Sequence, residues 1–197
     1  MEVSIFKGKN KIIGKFQIIC YTIYMNKKLL RKIYKEKRDS IENKSLKDNI
    51  IFNKIITNKD ILSCDTLLIY VSFNNEVNTI NIIKHFIKTK RIAVPKIINS
   101  EMKFCYIESL NDLSVGTYNI LEPTNTNYVQ NFKNSICIVP ALCFDKNNYR
   151  VGYGKGYYDK FLNNINIKTI GLCYKECITN KIDCDKYDKK IDYVITD

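Results

Sequence analysis

Residues 140–162 read PALCFDKNNYRVGYGKGYYDKFL, and three of the chain's seven glycines fall within five positions there: Gly152, Gly154 and Gly156. Alternating glycines let the backbone approach a ligand closely and adopt positive φ. Successive N–H groups can then form a nest for an anion. Arg150 and Lys155 add full charges beside it, and a guanidinium can grip a phosphate through two parallel hydrogen bonds. The chemistry this predicts is phosphate binding by a cradle, reinforced by a helix beginning near Gly156. Asp159, in the first turn of that helix, has two readings: it stabilises the helix start, or it holds a Mg2+ that bridges nucleotide phosphates. Tyr157 and Tyr158 can stack on a flat ligand or hydrogen-bond it, with one of the two serving the core. The pattern matches neither common nucleotide fingerprint, because Gly156 rather than Ser or Thr follows Lys155 and the glycine spacing is not GxGxxG. The glycines alone fit a flexible turn equally well. The density of Arg, Lys, Tyr and Asp around them favours the cradle.

Such a loop needs a scaffold, and hydrophobic periodicity predicts one. Residues 27–42 lack Gly and Pro and carry Leu29, Leu30, Ile33 and Ile41 at helical spacing among Lys and Arg, a basic amphipathic helix. A second helix is predicted over 45–58, with Leu46, Ile50, Ile51 and Ile55 on one side. The run 66–71 reads as a buried strand, followed by a turn at Asn74 and Asn75 and a helix over 77–90. Further strands are expected at 91–94 (stopped by Pro95), 103–107, 136–139 (ending at Pro140), 168–173 and 193–196. Residues 108–134 read as surface loop. Short buried strands alternating with helices predict an α/β fold: a three-layer α/β/α sandwich around a mostly parallel sheet, in a single domain. Ligands of such sheets bind beyond the carboxyl ends of the strands, which is where the segment after Val139 lies.

Composition narrows the function classes. The chain has 197 residues, 45% apolar, enough for one domain with its own core. Of the net charge of +12, residues 1–44 carry +8 and the remainder only +4. A basic N-terminal third admits a nucleic-acid arm, a targeting segment or a polyanion-binding helix. The eight cysteines form no CxxC pair, and most lie in apolar runs, so buried free thiols are expected rather than a metal site or disulfides. The one histidine, His85, has no Ser, Cys or acid partner nearby in sequence and reads as structural. No apolar run approaches the roughly 20 residues of a membrane-spanning helix. Residues 1–24 are read as an N-terminal extension, disordered or targeting, before a domain over 25–197.

The run Phe144-Asp145, Arg150-Val151-Gly152-Tyr153-Gly154-Lys155-Gly156-Tyr157-Tyr158-Asp159 resembles the signature of the 5-formyltetrahydrofolate cyclo-ligase (5,10-methenyltetrahydrofolate synthetase) family. Lys27-Lys28-Leu29-Leu30-Arg31, the segment 72–79 and the stretch from Asp188 through 192–197 fall in the family's order, so the resemblance spans about 25–197. It departs at Tyr187, where His is usual before the aspartate, near Asp183, where a proline is usual, and at Ala141, where Gly usually follows Pro140.

The resemblance implies an ATP-dependent ligase of folate one-carbon metabolism that converts 5-formyltetrahydrofolate to 5,10-methenyltetrahydrofolate through a phosphorylated formyl group, releasing ADP and phosphate. It implies ATP binding by Lys27, Lys28 and Arg31 together with Arg150, Gly152, Tyr153, Gly154, Lys155, Gly156, Tyr157 and Tyr158. Catalytic roles fall to Arg150, Lys155 and Tyr157. Folate contacts fall to Val71, Glu76 and Tyr157, and Mg2+ to Asp159 and Asp188. Glu76 also admits a turn-capping role. The partners expected are these small molecules, with no nucleic acid and no membrane, for a monomer in the cytoplasm, or in an organelle if residues 1–24 are a targeting segment. Two rivals stand beside this reading: another ATP-using kinase or ligase on the same cradle, and a basic nucleic-acid-binding protein.

Overall fold

The structure is a computed structural model and describes residues 26–197; the expectations for residues 1–24 lie outside that range. In chain order its helices are α1 (Lys27–Asp39), α2 (Lys44–Ile56), α3 (Lys59–Ser63), α4 (Ile80–Phe86) and α5 (Tyr157–Asn163). Its strands are β1 (Thr66–Ile69), β2 (Arg91–Ile98), β3 (Glu101–Ile107), β4 (Leu113–Val115), β5 (Leu121–Pro123), β6 (Ser135–Pro140), β7 (Cys143–Asp145), β8 (Arg150–Val151), β9 (Lys168–Leu172), β10 (Ile178–Thr179) and β11 (Tyr193–Ile195).

All four residues of β1 are buried, as are the first five of β6. Successive side chains point to opposite faces, so both faces of the sheet are covered, the condition of a three-layer sandwich. Among the described residues the main sheet has the order β11–β9–β6–β1–β2–β3. β1 pairs in parallel with β2 and β6, and β9 with β6 and β11. β3 alone runs antiparallel, as the return arm of a hairpin from β2. The α/β class and the mostly parallel sheet are therefore as the sequence predicts. After β1 the chain moves to one side of the sheet, and after β6 to the other. Their carboxyl ends flank a topological switch point, where a crevice opens.

α1 starts at Asn26, whose side chain accepts from the backbone N–H of Leu29, and Lys37 and Arg38 sit in its last turn, where cations suit the helix dipole. Its buried stripe is Leu30, Tyr34 and Arg38, at i, i+4 and i+8; Leu29, expected inside, is 43% exposed. In α2 the buried pair is Ile51 and Ile55, while Leu46 and Ile50 face outward. One face of this helix packs, so four apolar residues cannot all be inside.

Other expectations are corrected. The helix expected over 77–90 is α4 alone, because residues 77–79 are held in the turn after β1: Thr79 Oγ1 donates to the Tyr70 carbonyl at 2.7 Å and accepts from the Ser72 N–H at 2.9 Å. Pro95 does not end β2. β1 pairs with β2 only as far as Ala93, so from Val94 onward β2 keeps β3 alone as neighbour and tolerates a residue with no N–H. Within the supposed loop 108–134, β4 and β5 form an antiparallel ribbon, with Tyr118 and Asn119 in the left-handed region at its tip. A three-stranded sheet of order β10–β7–β8 was also unforeseen.

Among the described residues seven cysteines are free and six of them are buried, and His85 is exposed, edge-on to Phe52 and Phe86. No helix among the described residues is long and apolar enough to cross a membrane.

Gly171, in β9, faces the buried Phe144 ring; a Cβ there would lie 2.4 Å from Phe144 Cζ. Gly171→Ala should therefore destabilise the protein by about 1–3 kcal/mol through overpacking. Urea unfolding measures this, and an unchanged midpoint would contradict the close approach of β7 to β9.

Candidate active site

Two segments leave the switch point and meet again over it. The first follows β1. Asn74 takes a left-handed conformation, Glu76 N–H donates to the Phe73 carbonyl, and Phe73 N–H donates to Glu76 Oε2 at 3.0 Å. This turn fixes Glu76, with Val71 buried beside it at the strand end. The second follows β6. β7 and β8 form a hairpin whose turn is built by the buried Asp145, which accepts from the N–H groups of Asn147 and Tyr149 at 2.9 Å each. The hairpin returns the chain at Arg150 and Val151 and releases it into the glycine loop. There Gly154 has φ +99° and Gly156 has φ +68°, so side-chain-bearing residues would be strained at both.

α1 braces this loop. Arg31 Nε donates to the Gly152 carbonyl at 3.0 Å, and a Cβ on Gly154 would lie 3.3 Å from the Arg31 guanidinium. Lys27, one turn earlier on the same row, ion-pairs with Asp185 at 3.1 Å and with Asp188. Burial works against the charge on the Lys27 ammonium, but the bonds to Asp188 and Asp185 more than offset it and raise its pKa. Arg150 is buried: Nη2 bonds Asp159 Oδ1 at 2.8 Å, Nη1 donates to the Lys189 carbonyl at 3.1 Å, and the guanidinium lies over the Tyr158 ring.

Together these segments enclose a cleft of about 810 Å³. Of the residues picked out in the sequence, Lys27, Arg31, Val71, Glu76, Arg150, Gly152, Tyr153, Gly154, Lys155, Gly156, Tyr157, Tyr158, Asp159 and Asp188 all line it. Lys28 does not; it is exposed on the outer side of α1. The two tyrosines divide their roles. Tyr158 packs edge-on against Phe104, and its hydroxyl is buried with no hydrogen-bond partner among the described residues; Tyr157 Oη stands 3.5 Å from Tyr118 Oη. Tyr153 reaches across the cleft and donates to Glu76 Oε1 at 3.2 Å.

Several cleft residues had no signal in the sequence reading. The β4–β5 ribbon contributes Tyr118, Ile120 and Glu122, and Lys155 Nζ lies 5.7 Å over the Tyr118 ring. Gly116, packed against the Glu122 side chain, together with Pro123 marks that ribbon in retrospect. β2 and β3 supply an apolar wall through Pro95, Ile97 and Met102, of which Ile97 and Met102 are cross-strand partners. The cleft is thus lined by cations of α1 and the glycine loop, by the apolar β2–β3 hairpin and by the Glu76 carboxylate.

Asp159 and Asp188 each take a cation from the protein itself, and among the described residues no group of three or more His, Cys, Asp or Glu side chains is placed to hold a metal ion. This donor set fits a Mg2+ that takes one or two carboxylates and fills its shell with phosphate oxygens and water. It does not fit a cation held by protein ligands alone.

The chain is similar to known proteins over most of its described length. The family model described as the 5-formyltetrahydrofolate cyclo-ligase family matches residues 24–197. The 5-formyltetrahydrofolate cyclo-ligase of Mycoplasma pneumoniae is 30% identical over 180 residues, covering 88% of this chain and 99% of that protein. The enzyme of that name from Mus musculus is 26% identical over 172 residues, 79% of this chain and 85% of that one. Among solved structures, a 5,10-methenyltetrahydrofolate synthetase from Mycoplasma pneumoniae superposes with a TM-score of 0.71 at 28% identity, covering 87% of this chain and 99% of that one. The synthetase of Aquifex aeolicus shares the fold, with a TM-score of 0.78 at 24% identity over 86% and 89% of the two chains.

Loss of solvation pushes the Glu76 carboxyl above its ordinary range, against the Phe73 N–H, Arg38 and Tyr153, which all favour the anion. A carboxyl raised on folding binds its proton more tightly in the native state. That contribution is present below the unfolded value of about 4.3 and is lost as pH rises through the folded value. Glu76→Gln stays neutral throughout, so its Tm should match the wild type near pH 4 and gain on it as pH rises to 8. Thermal unfolding across that range checks the sign; a gap that shrinks with pH refutes the burial argument.

Proposed function

The chain belongs to the 5-formyltetrahydrofolate cyclo-ligase family, a family of ligases, and we propose that it uses ATP to convert 5-formyltetrahydrofolate to 5,10-methenyltetrahydrofolate, ADP and phosphate. The observation that carries this reading is the make-up of the cleft: a phosphate cradle and a carboxylate beside an apolar wall share one cavity. An ordinary kinase acting on a small polar acceptor has no need of that wall, whereas a pterin ring does. The basic α1 supports the reading as well, because Lys27, Arg31 and Arg38 turn inward to the cleft or its walls and so serve a small anion better than a nucleic acid.

The formyl oxygen is a poor leaving group. In the proposed sequence it attacks the γ-phosphorus, and ADP departs. N10 then attacks the activated formyl carbon, phosphate leaves with the former formyl oxygen, and the N10 proton is released. The protein's share is positioning and charge neutralisation. Arg31 and the glycine loop hold the phosphates, and Lys155 and Arg150 stabilise the transferring group. Glu76 accepts from the donor edge of the pterin, Val71 and the β2–β3 wall take its faces, and Tyr157 meets the formyl region. Asp159 and Asp188 would hold a Mg2+, which would supply neutralisation of phosphate charge. Phosphate can draw Lys27 away from Asp188, and so release that carboxylate. No nucleophilic side chain is required. The reading takes the enzyme as a cytoplasmic monomer.

The direct test is growth of methenyltetrahydrofolate absorbance from 5-formyltetrahydrofolate, dependent on ATP and Mg2+; folded protein that binds ATP but not the folate would favour the rival ATP-using enzyme. Lys155 is exposed, so Lys155→Ala should keep its Tm while kcat falls about 100-fold, the scale of losing one transition-state donor. Intact turnover in this variant would remove Lys155 from the chemistry. Arg150→Ala is a less clean probe, because it also removes the buried guanidinium's bonds to Asp159 and to the Lys189 carbonyl, so its stability must be measured beside its activity.

A further inference from the structure

Arg38 has no role of its own in the sequence reading, yet its guanidinium ties the two segments that form the cleft at three points. Its side chain is buried, with 4% of the residue exposed. Nε donates to Asn75 Oδ1 at 2.6 Å, in the turn after β1. Nη1 donates to the Ala141 carbonyl at 3.1 Å, in the segment after β6. Nη2 donates to the Tyr153 hydroxyl, on the glycine loop. Among the described residues no carboxylate forms an ion pair with it directly. The charge is answered one step away: the Tyr153 hydroxyl, taking a bond from Arg38, donates to Glu76 Oε1 at 3.2 Å. A buried guanidinium with no carboxylate at contact depends on such relayed compensation, so Arg38, Tyr153 and Glu76 hold one another in place.

This chain of bonds crosses the cleft. Tyr153 sits between Gly152 and Gly154, so its hydroxyl is the tie between a conformationally permissive loop and the rigid turn that carries Glu76. Ordering that loop is a cost common to both ends of the cleft. A ligand that fixes Tyr153 from either end meets that cost for the other, which gives positive coupling between the two. By linkage the coupling is the same in both directions.

We propose that Arg38 and Tyr153 are positioning residues that join Glu76 to the glycine loop, so that nucleotide and folate bind with positive coupling. The inference rests on the function proposed above. It places no reacting atom on either residue.

The test measures the Kd of 5-formyltetrahydrofolate, and of a non-hydrolysable ATP analogue, each alone and in the presence of the other. In the wild type, each ligand should tighten the other at least fivefold. Tyr153→Phe removes only a hydroxyl from a side chain that is 54% exposed. It should cut that factor below twofold, whatever it does to the Kd of either ligand alone. Arg38→Lys keeps the charge but cannot make three directed bonds, and it should lose the coupling as well; a Tm scan confirms that each variant folds. Full coupling retained in Tyr153→Phe would overturn the proposal, as would a wild type that binds both ligands with no mutual effect. In either case the functional reading survives. A wild type that binds neither ligand overturns both.

Discussion

β1 and β6 lie side by side and parallel, and the chain leaves their carboxyl ends in opposite directions. That divergence opens the crevice, and each strand must send its connecting segment around the opening rather than across it. The turn after β1 therefore presents Glu76 from one side, and the β7–β8 hairpin delivers the glycine loop from the other. α1 then closes the arrangement, with Arg31 on the Gly152 carbonyl and Arg38 on the segments around it. Burial of β1 and β6 on both faces keeps those strand ends fixed, so the site rests on the stiffest part of the molecule.

The electrostatics of the cleft follow from the same placement. Lys27 and Arg150 rest on Asp188 and Asp159, while Arg31 rests on a carbonyl. Cations brought together around one cleft would repel one another without such partners. Glu76 differs from these. Its anion has a peptide N–H and a tyrosine hydroxyl as partners, and loss of solvation pulls its proton affinity upward. A carboxylate poised in this way suits a ligand edge rich in N–H donors better than it suits a metal.

Much of this was legible in the sequence for a physical reason. The helix and strand periods, 3.6 and 2, are local properties. So α1, β1, β6, β9 and α5 could be located within a few residues, and alternating glycines among Arg, Lys and Asp marked the loop that lines the cleft. Failures came where a residue's fate depends on its neighbour in space. Pro95 reads as a strand breaker unless β1 is known to end before it. The β4–β5 ribbon has three-residue strands, too short for any period to register, and so Tyr118 and Glu122 were missed. Leu29 and Leu46 belong to helical apolar patterns, but only packing decides which edge of a stripe is covered.

The sequence by itself determined the α/β class and singled out the glycine-rich loop with the charged groups beside it, because residue type and spacing are enough to set these. Only the tertiary structure decided what those groups touch. It turned Arg38 inward while leaving Lys28 outside, paired Arg150 with Asp159, buried the Tyr158 hydroxyl, and brought Tyr153 to Glu76 across 77 positions of chain. The glycine loop is thus recognisable by composition. It becomes part of a two-ended cleft only because parallel strands put the carboxyl ends of β1 and β6 next to each other.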